Sequence, residues 1–249
     1  MSVYLDVAAG SVDDLLRYLR RHKLRSRVDL HDLTSHKVVA AAWPGAGAPP
    51  AAWAASLPGD PRVAALGRRG IIEAGAAPAP DDDDNAAAER VYKYVRALCG
   101  VAEGPAEIPP GEALPLEFNM DGMAGVSYTK GCYVGQELTA RTHYTGVVRK
   151  RVVPIALDGD GAEVAPGAKV YAEGSKRAAG KILATCAAPA GAGGAVGLAL
   201  LRLAAVLPAD APPLVVEGGG VAVRATRPEW WPAEWGHEED DAQQAGQAV

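Results

Sequence analysis

A chain of 249 residues with 49% hydrophobic residues and a formal net charge of −5 holds one large domain or two modest ones, and is neither a peptide nor a linker. The negative balance argues against non-specific binding to long nucleic acid, which requires many phosphates to be neutralised by Lys and Arg. The three cysteines, Cys99, Cys132 and Cys186, form no CxxC or Cys/His cluster, which argues against a self-contained zinc site or a four-thiolate iron-sulfur cage. Their odd number, with no secretion signal, suits a reducing compartment.

The chain opens with an apolar run, Val3 to Val7, that predicts a strand. Asp6, Asp13 and Asp14 precede the first basic residue, Arg17, so this is neither a secretory signal nor an acid-poor transit peptide. Ser11 then precedes Val12, Leu15, Leu16 and Leu19, whose spacing predicts a helix over Val12 to His22. Val28 to Leu33 and Val38 to Trp43 read as further strands, and Pro44 to Pro50 as a loop. The long uncharged stretches Val38 to Gly59 and Ile182 to Leu201 are no membrane helices: prolines at 44, 49, 50 and 58 break the first, and Pro189, Gly191, Gly193 and Gly194 break the second. Gly191 to Gly194 lacks a Walker lysine and reads as a turn. The acidic run Asp81 to Asp84 stands ahead of Val91, Val95 and Leu98, where carboxylates favour a helix entry over a metal site. Further on, five β-type runs (Val147 to Leu157, Ala168 to Tyr171, Gly180 to Thr185, Val196 to Leu203, Leu214 to Ala225) predict a small barrel or sandwich. The acidic, glutamine-rich end from Glu234 to Val249 has little to bury and reads as disordered.

Between Glu107 and Arg151 the pattern breaks into dense proline, glycine and polar positions, the kind of segment where function resides. Val126, Tyr128 and Thr129 have strand character and Gln136 to Thr142 reads as a short helix, so Cys132 in Lys130-Gly131-Cys132-Tyr133-Val134-Gly135-Gln136-Glu137 falls at a strand-to-helix turn. A helix N-terminus and a nearby cation favour a thiolate, and Gly131 and Gly135 allow close approach of a ligand or partner backbone. Lys130 to Arg151 carries Lys130, Arg141, Arg149, Lys150 and Arg151 against Glu137 alone, and would draw an anion. The residues by themselves favour a buried cysteine acting as a small hydrophobe, glycines that merely turn the chain, and a solvated strand edge at Arg149 to Arg151. His143 lies eleven residues beyond Cys132 with nothing in the sequence to orient it as a partner base.

The Lys130–Glu137 segment resembles the signature of the YgfZ-type family, relatives of the glycine-cleavage T-protein. Its continuation, Leu138-Thr139-Ala140-Arg141-Thr142-His143 and Gly146 to Arg151, resembles the mitochondrial iron-sulfur cluster assembly branch. Leu114 to Asn119, Gly125 to Thr129, Val196 to Leu201 and Pro228-Glu229-Trp230-Trp231-Pro232 are similar to the same branch, and the likeness runs over most of Tyr4 to Pro232. The resemblance implies an α+β fold: a partial T-protein-like folate-binding domain over residues 1–145, a C-terminal β-barrel over 146–232, and a tail over 233–249. It implies a transferase-like assembly factor for [4Fe-4S] proteins in the mitochondrial matrix (a plastid being the alternative), working with A-type scaffold proteins and client enzymes. Cys132 matches the functional cysteine with Lys130 beside it; Gly131, Tyr133, Gly135, Gln136, Glu137 and Arg141 match the surrounding cofactor-binding positions. Glu117 matches the T-protein glutamate that holds the pterin of folate, where a carboxylate accepts paired N–H bonds.

Family members carry substantial chain ahead of the position matching Tyr4, whereas Met1 stands just before it here. The chain is therefore expected to be N-terminally shortened, and tetrahydrofolate is expected of the full-length protein rather than of these residues alone. The basic segment is expected to meet a folate glutamate tail or an acidic partner face rather than nucleic acid. Two other functions are a glycine-cleavage aminomethyltransferase, disfavoured because the T-protein lacks the KGCYxGQE pattern, and a shortened paralogue that binds partners without ligand chemistry.

Overall fold

A computed structural model describes residues 2–43, 52–76, 82–159, 164–189, 194–218 and 220–236. The expected loop over Pro44 to Pro50, Asp81 and the terminal residues 237–249 lie outside them. The chain divides into two compact units, Met1–Asp60 with Ala64–Asn85, and Pro61–Val63 with Ala86–Val249.

In the first unit the helical spacing from Val12 yields α1 (Val12–His22), with Asp13 and Asp14 in its first turn and Arg20, Arg21 and His22 in its last, the charge order that suits the helix dipole. β1 (Lys37–Ala42) and β2 (Arg68–Glu73) pair antiparallel, Lys37 opposite Glu73 and Ala42 opposite Arg68. The runs Val3 to Val7 and Val28 to Leu33 are not strands. A strand exists through its ladder, and among the described residues β1 and β2 make the one sheet of this unit. The first run is instead tied to β2 by side chains, Arg69 donating Nη2 to Asp6 at 2.6 Å.

α2 (Asp82–Leu98), which the acidic run enters as expected, belongs to the second unit from Ala86 onward. At its end Arg96, 4% exposed, donates to both oxygens of Glu107 at 2.6 and 2.8 Å and to the carbonyl of Val101 at 2.7 Å. Glu103 accepts from the Tyr92 hydroxyl at 2.6 Å and pairs with Arg62. Burial raises the Glu103 carboxyl, but the hydrogen bonds from Tyr92 and Arg62 and the charges of Arg96 and Arg62 outweigh it and hold the group below its ordinary value. A depressed folded-state carboxyl gives stability that is present above the unfolded value, about 4.3, and is lost as pH falls through the folded one. Glu103→Gln is thus expected to cost about 1.5–3 kcal/mol at pH 7 in urea unfolding, with variant and wild type converging as pH falls through the folded-state value; a gap that does not narrow on acidification would contradict this.

Beyond α3 (Gln136–Thr145) six strands close a barrel: β3 (Lys150–Leu157), β4 (Lys169–Ala172), β5 (Ala178–Ala187), β6 (Ala195–Arg202), β7 (Leu214–Val216) and β8 (Ala222–Ala225), in the order β3-β6-β5-β4-β7-β8. The predicted fifth run is two strands, because Gly218 at φ +94° turns the chain between them. Val153, Ile155, Ile182, Ala199 and Leu201 fill one core, while Val152, Leu183, Leu198 and Leu200 pack against Ala97 and Phe118 in another. Burial on both faces explains why β3 and β6 read as continuous apolar runs. β5 and β6 approach so closely that a Cβ on Gly180 would lie 2.0 Å from the Leu200 carbonyl oxygen.

The Trp-rich end is built into this unit. Trp230 donates Nε1 to the Cys99 carbonyl at 2.8 Å, and Trp231 and Trp235 are buried. The reading of Glu234 onward as disordered therefore fails for its first residues: Trp235 buries its ring, and Arg227 donates to its carbonyl at 3.0 Å.

Candidate functional site: the Cys132 turn and its support

The site rests on a segment laced to β3. Asn119, at φ +60° and fully buried, donates Nδ2 to the Val152 carbonyl at 2.8 Å, and the Val152 amide donates to the Glu117 carbonyl at 2.8 Å. Arg151, 1% exposed, donates to the Leu116 carbonyl at 2.8 Å and to both oxygens of Asp121 at 3.1 Å, with the Trp235 ring 3.3 Å from its guanidinium carbon. The reading of Arg149 to Arg151 as a solvated edge fails at Arg151, which shares strand parity with Val153, Ile155 and Leu157 and is directed inward with them.

From this clamp the chain runs to Cys132 without forming the expected strand: Val126 to Thr129 is irregular, with no ladder partner among the described residues. Tyr128 and Tyr133 nevertheless bury their hydroxyls without a hydrogen-bond partner among the described residues. The Tyr128 phenol is pushed up to about 12, first by burial and then by Asp121 and Tyr133, with Arg151 opposing, so it keeps its proton throughout the physiological range. Its ring stacks on His143 at 3.8 Å between centroids, 10° from parallel. His143, which nothing in the sequence orients, is thus held by Tyr128, a pairing across fifteen residues that no local spacing reveals.

The expected turn into a helix is present. Gly135 takes φ +85° as the N-cap of α3, a conformation that favours glycine, and Thr139 hydrogen-bonds its hydroxyl back to the Gly135 carbonyl at 3.0 Å. Cys132 is exposed, whereas Cys99 and Cys186 are partly covered, and burial pushes the Cys186 thiol up. The Lys130 ammonium lies 4.8 Å from the centre of the Tyr133 ring. A Cβ on Gly131 would meet nothing within 4 Å, leaving the turn open to a partner. Glu137 and Arg141 are exposed and Gln136 is half-buried; Val134, Leu138 and Tyr144 add exposed apolar surface.

Glu117 is not joined to this turn by any hydrogen bond or ion pair among the described residues. Its carboxylate pairs with Lys150 Nζ at 2.9 Å, which takes Lys150 out of the free charge of the basic segment. Neither the cleft of about 440 Å³ lined by Arg149, Arg177 and Arg202 nor the small one beside Cys186 includes Glu117 or any residue from Lys130 to Arg141. The Glu117 carboxylate is thus engaged by Lys150, while the buried Tyr128 and Tyr133 hydroxyls stand without a partner among the described residues. Among the described residues no group of three or more His, Cys, Asp or Glu is arranged to hold a metal ion, and no helix is long and apolar enough to cross a membrane.

Comparison with known proteins agrees with this architecture. The family model of the CAF17 C-terminal β-barrel domain matches residues 149–233, the span of β3 to β8 with Trp230 and Trp231. Over a longer region the chain is 44% identical across 186 residues to the mitochondrial iron-sulfur cluster assembly factor IBA57 of Mus musculus, covering 70% of this chain and 46% of that protein. Over that region the chain is similar to the IBA57 assembly factors. The human factor is 42% identical over 186 residues, with 72% of this chain and 48% of that protein covered. The Mycosarcoma maydis homologue is 45% identical over 157 residues, covering 61% and 38%. The chain thus spans about half or less of the length of these curated relatives. The similarity agrees with the likeness to the YgfZ and T-protein group, and the α+β fold with its closed C-terminal barrel is the one that likeness implied.

Proposed function

We propose that this chain acts in mitochondrial iron-sulfur cluster assembly, supporting the maturation of [4Fe-4S] proteins, with Cys132 as its functional thiol. The observation that carries the reading is the open turn at Lys130–Glu137: Cys132 is exposed ahead of a capped helix, on a segment anchored to the barrel through Asn119 and Arg151. A thiolate is both nucleophile and metal ligand, and an accessible one can reach a cluster carried by another protein. The exposed Val134, Leu138 and Tyr144 surround it with apolar surface suited to protein contact. The partners in this reading are A-type scaffold proteins and client [4Fe-4S] enzymes in the mitochondrial matrix.

Tetrahydrofolate is part of this reading for the full-length protein, with Glu117, Gly131, Tyr133, Gly135, Gln136, Glu137 and Arg141 as this chain's contribution. No chemical step is derived through it. In cells lacking the endogenous factor, mitochondrial delivery of this chain is expected to restore the activity of a [4Fe-4S] enzyme such as aconitase while [2Fe-2S] proteins stay unchanged. Restored glycine cleavage with no gain in aconitase would contradict the proposal.

A further inference from the structure

We propose that the end of the barrel carries a second binding site, an arginine cleft that takes a compact anion bearing two or more phosphoryl or carboxylate groups. The cleft, about 440 Å³, is lined by Val147, Val148, Arg149, Arg177, Arg202 and Leu203 among others, and the described lining includes no Asp or Glu. Its volume lies in the range of small-ligand sites.

Strand pairing assembles the three arginines from separate parts of the sequence. Arg202 ends β6 opposite Lys150 at the start of β3, and the Leu203 amide donates to the Arg149 carbonyl at 3.0 Å, so residues 149 and 202 meet at one rim. Arg177 stands just before β5, which pairs with β6 through Gly180 opposite Leu201. Arg202 donates Nε to the Ala178 carbonyl at 3.4 Å, which turns its guanidinium toward the residue after Arg177. Among the described residues neither Arg177 nor Arg202 is in an ion pair, in contrast to Arg224, which pairs with Asp158 at 3.1 Å.

The like charges of Arg177 and Arg202 on one cleft repel each other, and a multivalent oxyanion relieves that repulsion. Guanidinium forks match phosphate and carboxylate geometry bidentately where an ammonium does not. Val147, Val148 and Leu203 supply an apolar wall that raises the strength of those contacts. This site is separate from the Cys132 turn: it uses Arg149 from the basic segment together with two arginines far downstream.

Calorimetric titration of the full chain at low ionic strength with pyrophosphate and, in parallel, with citrate tests the assignment. Saturable binding of at least one is expected, weakened about tenfold by Arg177→Gln and by Arg202→Gln, unchanged by Arg224→Gln, and reduced at high salt. The tighter of the two anions identifies the preferred group as phosphoryl or carboxylate. Absence of saturable binding to both, or binding that Arg177→Gln and Arg202→Gln leave unaltered while thermal melting shows them folded, would overturn the proposal.

Discussion

Replacing Arg151 with Ala is expected to destabilise the second unit by about 3–5 kcal/mol. The loss comes less from the missing attraction than from what is left behind. Asp121, with a side chain 9% exposed, would keep a buried charge without its bidentate partner, the Leu116 carbonyl would lose its donor, and the Trp235 ring would lose the cation stacked on it. Arg151→Lys should recover little, since an ammonium cannot reproduce the fork that bridges both Asp121 oxygens. Lys150→Ala, next along the strand, removes an ion pair whose lysine is 39% exposed and is expected to cost no more than about 1 kcal/mol. Urea unfolding separates the two. In a double-mutant cycle, Asp121→Leu added to Arg151→Met should regain part of the loss, because removing both charges abolishes the desolvation penalty. An Arg151→Ala variant within about 1 kcal/mol of wild type would show that the clamp under the Cys132 segment is not a structural one.

This clamp is also not legible in the sequence. Two consecutive cations beside a third, Arg149, look like a solvated edge, yet Arg151 shares strand parity with Val153, Ile155 and Leu157, so either the arginine is directed inward or the core outward. Its partner, Asp121, lies thirty residues upstream on a loop, and nothing in local spacing announces it. By contrast α1 is legible from its helical spacing, and the barrel strands from short β-type runs separated by turn residues. Val3 to Val7 and Val28 to Leu33 have strand-like composition yet form no ladder, since composition states a preference while pairing needs a neighbour. The Cys132 turn was legible through its glycines, of which Gly135 does supply a left-handed N-cap. Its tyrosine support was not, because Tyr128 and His143 meet only once the chain has folded back.

The second large effect concerns the thiol itself. Cys132→Ser keeps nearly the same volume at an exposed position, so folding should be unchanged, while the group able to attack or to ligate iron is lost. Cys99 and Cys186 are partly covered, and the Cys186 thiol is pushed up by burial, so both act as packing groups and their serine variants should retain function.

The most direct measurement is therefore [4Fe-4S] enzyme activity in cells lacking the endogenous factor and supplied in turn with wild type, Cys132→Ser, Cys99→Ser and Cys186→Ser at matched protein levels. The account predicts that Cys132→Ser alone fails to restore aconitase activity. Equal rescue by all three serine variants would contradict it.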